Sequence, residues 1–285
     1  LQNFAIFVNL GETDSPLPEA LEMILLFESE MEKHADLIRP VRSYADIEQN
    51  QADGVMSALL TGEEGEITMG NPDFLYFLYK LGMRMMTLTW NYENSLGFPN
   101  VRLDKKASAS SDRYCLSQNK GLKEQGIVFL EEMERLGMII DVSHLSDAGF
   151  YDVLEHTTKP FVASHSNARS VCPAVRNLTD DMVRRLAERG GITGINFCKE
   201  FLGKPDISQN YLDQAVVHMK YLMNLGGEDF VALGSDFDGI TRYHDLSDCS
   251  VMPKLVHTMK KAGLTPTQIE KICYKNTLRV YRELL

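Results

Sequence analysis

Hydrophobic and polar positions change period twice between Met138 and Ser166. MIIDVSH is a β-branched apolar run closed by His144. LSDAGFYDVLEH then carries its apolar residues at helical spacing, and PFVASHS is a second short apolar run with His165 near its end. Strand, helix and strand in this length predict two parallel strands joined by a crossover helix. Parallel neighbours lie roughly 4.8 Å apart. If these two are neighbours, their imidazoles emerge side by side at one sheet edge. Two histidines on one zinc, at about 2.0–2.1 Å each, need to sit about that close.

The same alternation runs through the rest of the chain. Apolar runs predict strands at Phe4–Leu10, Leu37–Val41, Gly54–Leu60 and Met83–Thr89, then at GITGINF and at FVALGSDFDG. Helical periods fall at Pro16–His34, with a stripe of Leu21, Ile24, Leu25 and Met31, at Tyr44–Asn50 behind Ser43, and at Asn71–Leu81 and Gly121–Leu136. Further helices are predicted at Asp180–Glu188 behind Thr179, at Tyr211–Leu225, at Met252–Lys261 and at Pro266–Leu284 behind Thr265. Tyr92 to Asn119 is long, irregular and rich in Ser, Asn and Gly, which marks it as a functional loop. No linker or composition break interrupts the pattern, so residues 1–285 read as a single α/β domain with a parallel sheet and outer helices. Seven or so strands, with no Gly-rich phosphate loop after any of them, favour a (β/α)8 barrel over an open dinucleotide-binding sheet.

In a barrel the polar residues that could do chemistry share one face. Glu63 and Glu64 follow one strand, His144 and His165 two others, and Asp236 and Asp238 the last. Singly, each has an ordinary structural explanation: a hydrogen-bonded histidine, a solvated acidic turn, an aspartate capping the next helix. Together they are the nitrogen and oxygen donors of a catalytic zinc site. Spacing leaves the choice between Glu63 and Glu64 open. His34, His156, His218 and His257 fall within helices and His244 in a loop, and these five read as surface or core residues.

Composition narrows the classes of partner. A net charge of −11 argues against nucleic acid and against anionic membrane surfaces. No apolar run reaches the roughly 18 residues of a spanning helix. Five cysteines, scattered and without CxxC spacing, suggest reduced thiols and a cytoplasmic location. The chain begins with Leu1 inside a run that reads as a buried strand. The expectation is a segment upstream of it, so a signal peptide is not judged from this sequence.

TGEEG, LTLTWNYEN, IDVSH, FVASHS with ARSVC and VRN behind it, and LGSDFDG occur in this order. Together they resemble the membrane (renal) dipeptidase family of zinc metallopeptidases, in its bacterial branch, over nearly the whole chain. The resemblance implies an amidohydrolase-type (β/α)8 barrel that hydrolyses dipeptides at a two-zinc centre, some members accepting a D-residue on the C-terminal side. It implies Glu64 as the carboxylate bridging the metals, and His144 and His165 on the second metal. Asp236 would stand beside the first metal and handle protons. Arg176 would grip the substrate carboxylate, and Trp90 and Asn91 would line the substrate.

Three departures follow from the same resemblance. The family's opening His-x-Asp, on the first strand, would lie upstream of Leu1. The chain is then expected to lack its first barrel strand and to bind one zinc firmly and a second weakly. Its exposed edge strands would invite pairing with a second copy. Trp90 stands where mammalian members have a histidine that touches the scissile carbonyl, and Cys198 where they have a substrate-contacting tyrosine. The expected chemistry is attack by a metal-bridging hydroxide on the peptide carbonyl, with Asp236 passing the proton to the leaving amine. The rival readings are another amidohydrolase-type amide or ester hydrolase, such as a deacetylase or lactonase, and a non-catalytic barrel.

Overall fold

Three parallel segments open the sheet of the computed structural model: Gln2–Phe7 (β1), Ile38–Val41 (β2) and Met56–Glu63 (β3). The structure describes residues 1–103, 114–116, 119–207, 209–243 and 245–285, and divides into two compact units. The first unit is 1–158 with 281–285, and the second is 159–280.

In the first unit β3 is the organising strand. β1 pairs along one edge of it, from Gln2 opposite Ala58 to Phe7 opposite Glu63. Its other edge takes β2 at its start, and Met85–Thr87 (β4) at its end, where Thr87 faces Glu63. Val101–Leu103 (β5) and Tyr114–Leu116 (β6) form a separate antiparallel pair. Ile139–Asp141 (β7) continues the parallel sheet beside β4. The long loop expected at Tyr92–Asn119 therefore holds a short ribbon, and its central part lies outside the described residues.

The helices follow the strands as the periodicity predicts. Pro16–Lys33 (α1) buries Ala20, Ile24, Phe27 and Met31, so the true stripe runs through Phe27, and Leu25 is exposed. Tyr44–Ala52 (α2) starts on a reciprocal capping box between Ser43 and Asp46. Pro72–Lys80 (α3), Glu124–Leu136 (α4) and Asp147–His156 (α5) complete the set. Ser146 caps α5 by accepting from Gly149 N–H at 3.0 Å. One strand differs from expectation in a way that matters: β3 runs three residues past Leu60. Thr61 is buried and β-branched, and Gly62 lets the strand pass tightly beside the Met83 sulfur. The predicted acidic turn thus begins with its first glutamate still on the strand.

In the second unit three short parallel strands lie side by side: Val162–Ala163 (β8), Ile192–Ile195 (β9) and Val231–Leu233 (β10). Backbones approach closely just past their ends, where a Cβ on Gly234 would strike the Ser164 carbonyl oxygen. Asp180–Glu188 (α6), capped by Thr179 as expected, is followed by Lys199–Leu202 (α7), Tyr211–Gly226 (α8) and Met252–Lys261 (α9). The single closing helix predicted from Pro266 is divided. Pro266–Glu270 (α10) passes through a π turn at Lys271–Lys275 into Asn276–Leu284 (α11). The wider turn aims the buried Asn276 amide at the carbonyls of Glu228 and Val231, at 2.9 and 2.8 Å. No described helix is long and apolar enough to cross a membrane.

Candidate metal centre and substrate groups

Five non-glycine residues among those described have left-handed φ, and three of them follow strands at the sequence-predicted positions: Glu64 at 118°, His144 at 70° and Asp236 at 63°. Such backbone is costly for residues with a Cβ and collects at functional sites.

In the first unit the register of β3 decides between the two glutamates. Glu63 is the last strand residue, and its Oε1 lies 3.2 Å from His144 Nε2. Both side chains are largely enclosed, 17% and 8% exposed. On the far side of the ring, His144 Nδ1 is 2.9 Å from Asn91 Oδ1. An amide oxygen only accepts, so Nδ1 donates to it, and in the neutral ring Nε2 then presents its lone pair to the Glu63 carboxylate. In the neutral ring these two acceptors are both satisfied by a cation shared between them, a proton or a metal ion. That fits a divalent metal, and a histidine whose second nitrogen is fixed by an oxygen acceptor is a common metal-ligand arrangement.

Glu64, which the resemblance placed on the metal, is turned elsewhere. Its left-handed backbone swings the carboxylate into the protein, where it is fully buried. There Oε1 accepts from Glu66 N–H at 2.9 Å and from Asn94 Nδ2 at 2.5 Å, and Oε2 accepts from Trp90 N–H at 3.0 Å. Burial pushes this carboxyl up to about 7, against the pull of those three bonds. The carboxylate that faces His144 is Glu63. Trp90 stands half-buried beside this pair, its ring centroid 6.2 Å from His144 and 4.9 Å from Phe7.

In the second unit the predicted residues gather on one that the sequence reading missed. Asn196, fully buried just after β9, donates from Nδ2 to Asp236 Oδ2 at 3.0 Å and to the His165 carbonyl at 3.3 Å. Arg176 donates to that same carbonyl at 3.3 Å and to Ser166 Oγ at 3.1 Å, and its guanidinium lies over the Phe201 ring. It is only 4% exposed, so a surface ion pair is not its setting. His165 Nδ1 lies 2.6 Å from Ser164 Oγ. Asp238 is exposed, 3.7 Å from Arg242. Cys198 packs its thiol against Glu200 Oε2 at 3.0 Å, and burial pushes that thiol up to about 12. The signal for Asn196 was present: ITGIN closes an apolar strand on an amide, as the other strands close on Glu and His.

Carboxylate and imidazole donors at the ends of parallel strands define the class of metal-dependent hydrolases. The chain belongs to the membrane dipeptidase family, peptidase family M19, whose model matches residues 1–284. It is therefore a metallo-dipeptidase-type enzyme, and its fold is the amidohydrolase-type (β/α)8 class. It is 36% identical over 253 residues to an uncharacterized Klebsiella pneumoniae protein encoded in the pqqA 5′ region, covering 88% of this chain and 90% of that one. It is 31% identical over 268 residues to the dipeptidase tcpJ of Claviceps purpurea, covering 93% of this chain and 60% of that protein. An uncharacterized dipeptidase of Schizosaccharomyces pombe is 35% identical over 207 residues, 72% of this chain, which there spans about half the relative, 47%.

Among solved structures, a Rhodobacter sphaeroides metallopeptidase bound to a phosphinate mimic of L-Ala-D-Ala aligns with a TM-score of 0.85 at 27% identity. That alignment covers 99% of this chain and 86% of the neighbour. A second M19 metallopeptidase, dipeptidase AC, aligns with a TM-score of 0.84 at 29% identity, over 99% and 85% of the two chains.

Proposed function

We propose that the chain is a zinc-dependent dipeptidase that hydrolyses short peptides carrying a free C-terminal carboxylate, including dipeptides with a D-residue at that end. The observation that carries the reading is the Glu63 carboxylate facing the His144 Nε2 lone pair across 3.2 Å. Glu63 and His144 would hold the zinc. When bound, zinc polarises the scissile carbonyl and acidifies a water.

The other residues act on substrate and protons. Asp236, oriented by the Asn196 amide, takes a proton on its carboxylate and returns it to the leaving amine. That carboxylate is also of the oxygen type that zinc accepts. Arg176 offers a planar fork that matches a terminal carboxylate, which restricts substrates to short peptides. Trp90 presents an aromatic wall beside His144. The D-residue preference rests on the ligand of the Rhodobacter sphaeroides neighbour.

The test combines metal and substrate. Chelation should abolish hydrolysis of L-Ala-D-Ala, and zinc should restore it. Arg176→Lys should slow dipeptide hydrolysis by roughly ten- to a hundredfold, as expected for a lost charge-assisted hydrogen bond. The same variant should leave a dipeptide amide, already a poor substrate, almost unchanged. Full activity after exhaustive chelation, or equal losses on both substrates, would overturn the reading.

A further inference from the structure

The chemistry above leaves the buried Glu64 carboxyl without a role. It is bound on three sides by N–H donors, and two of them belong to the loop that follows β4: the Trp90 backbone and the Asn94 side chain. Asn94 also ties that loop to itself. Its Nδ2 donates to the Leu88 carbonyl at 2.9 Å, and its Oδ1 accepts from Leu96 and Gly97 N–H at 2.8 and 3.0 Å. The next residue, Gly65, packs straight onto the loop, where a Cβ would lie 2.5 Å from the Leu88 carbonyl oxygen. Between the two residues that Glu64 holds sits Asn91, whose Oδ1 meets His144 Nδ1.

We propose that Glu64 is a positioning residue: its carboxylate clamps the loop at Trp90 and Asn94, so that Asn91 Oδ1 keeps His144 protonated on Nδ1, with Nε2 toward Glu63. The value of this arrangement for metal affinity rests on the zinc reading above, whereas the tautomer itself does not. A glutamine at position 64 has the same shape, but one of its two heads is a donor facing donors. The clamp then loses at least one bond, and Asn91 loses its fixed height against the ring.

The experiment uses the full chain labelled with 15N-histidine, stripped of metal, at an alkaline pH where imidazoles are neutral. The His144 resonances are assigned by their loss in His144→Gln. Wild type should show Nδ1 protonated and Nε2 bare. Asn91→Asp, which keeps an acceptor, should retain that tautomer. Asn91→Ala and Glu64→Gln should move population to the Nε2–H form and weaken zinc binding by about 10- to 100-fold, the usual loss when a group that orients a ligand is removed. An unchanged tautomer in Glu64→Gln, whatever Asn91→Ala does, would overturn the proposal. So would a Glu64→Gln protein that binds no zinc while its His144 tautomer is unchanged, because Glu64 would then be a ligand itself. If wild type binds no zinc yet the tautomers shift as stated, the positioning role stands and the zinc reading falls.

Discussion

The two units hold their functional groups by different physics. In the first, the Glu63 carboxylate and the His144 ring face each other across 3.2 Å, and Asn91 holds the far side of that ring. In the second, Arg176, Asp236 and the His165 backbone are held by neutral donors and acceptors, with the Asn196 amide at the centre. Under the reading proposed above, the first pair would meet a metal ion and the second set a substrate.

The largest expected effect comes from removing that opposition. Glu63→Gln keeps the shape and exchanges an acceptor for a donor facing His144 Nε2. Zinc should bind far more weakly, and dipeptide hydrolysis should fall on the order of 10³-fold, since a catalytic metal is worth several kcal/mol. At an alkaline pH where imidazoles are neutral, the metal-free variant should at the same time be more stable than metal-free wild type by about 1 kcal/mol, as a hydrogen bond from the new amide replaces facing lone pairs. Zinc titration and thermal melts with and without metal check both halves. A variant that loses stability without metal would remove the contrast between the units.

A second effect belongs to the second unit alone. His218 in α8 is buried, accepts from Ala168 N–H at 3.2 Å and donates to the Leu202 carbonyl at 2.9 Å, so the neutral ring is fully satisfied. Burial lowers its pKa from 6.5 to about 4. Between those values the unfolded chain binds the proton and the folded chain does not, so stability rises with pH across that window. This contribution is complete above pH 6.5 and is lost as pH falls toward 4, by roughly 3 kcal/mol. His218→Gln, which keeps a donor and an acceptor, should flatten the urea-midpoint profile from pH 4 to 6.5. An unchanged slope would place the acid sensitivity elsewhere.

Much of this was legible in the sequence, for reasons that residues make plain. Period and caps placed α2, α6 and α9, because Ser43, Thr179 and the run from Met252 are local signals. The strand-end histidines were legible because β-branched runs stop on them. The choice of glutamate was not, since it depends on how far β3 continues and on the backbone turn at Glu64, and both are set by packing against Met83 and Leu88. The buried Asn94 and Asn196 were missed for a related reason: an asparagine reads as loop punctuation until its amide is seen closing a network.

The smallest effect tests the hub of the second unit. Asn196 sends its Nδ2 to Asp236 and to the His165 carbonyl, and its Oδ1 accepts from Cys198 N–H at 2.7 Å. Its backbone N–H donates to Asn167 Oδ1 at 2.9 Å, a bond that side-chain replacement leaves in place. Asn196→Asp keeps the acceptor toward Cys198 but sets a carboxylate against that of Asp236. Like charges raise the pKa of one member of the pair. If Asp236 moves the proton, the alkaline arm of the dipeptidase pH profile stays and the acid arm shifts upward. Asn196→Ala, which removes the bond without adding charge, should lower kcat by about tenfold, the worth of roughly 1.4 kcal/mol, with KM nearly constant. A rise in KM at constant kcat in Asn196→Ala would instead assign the amide to substrate binding. The second unit would then hold recognition groups only, and the proton carrier would have to be sought in the first.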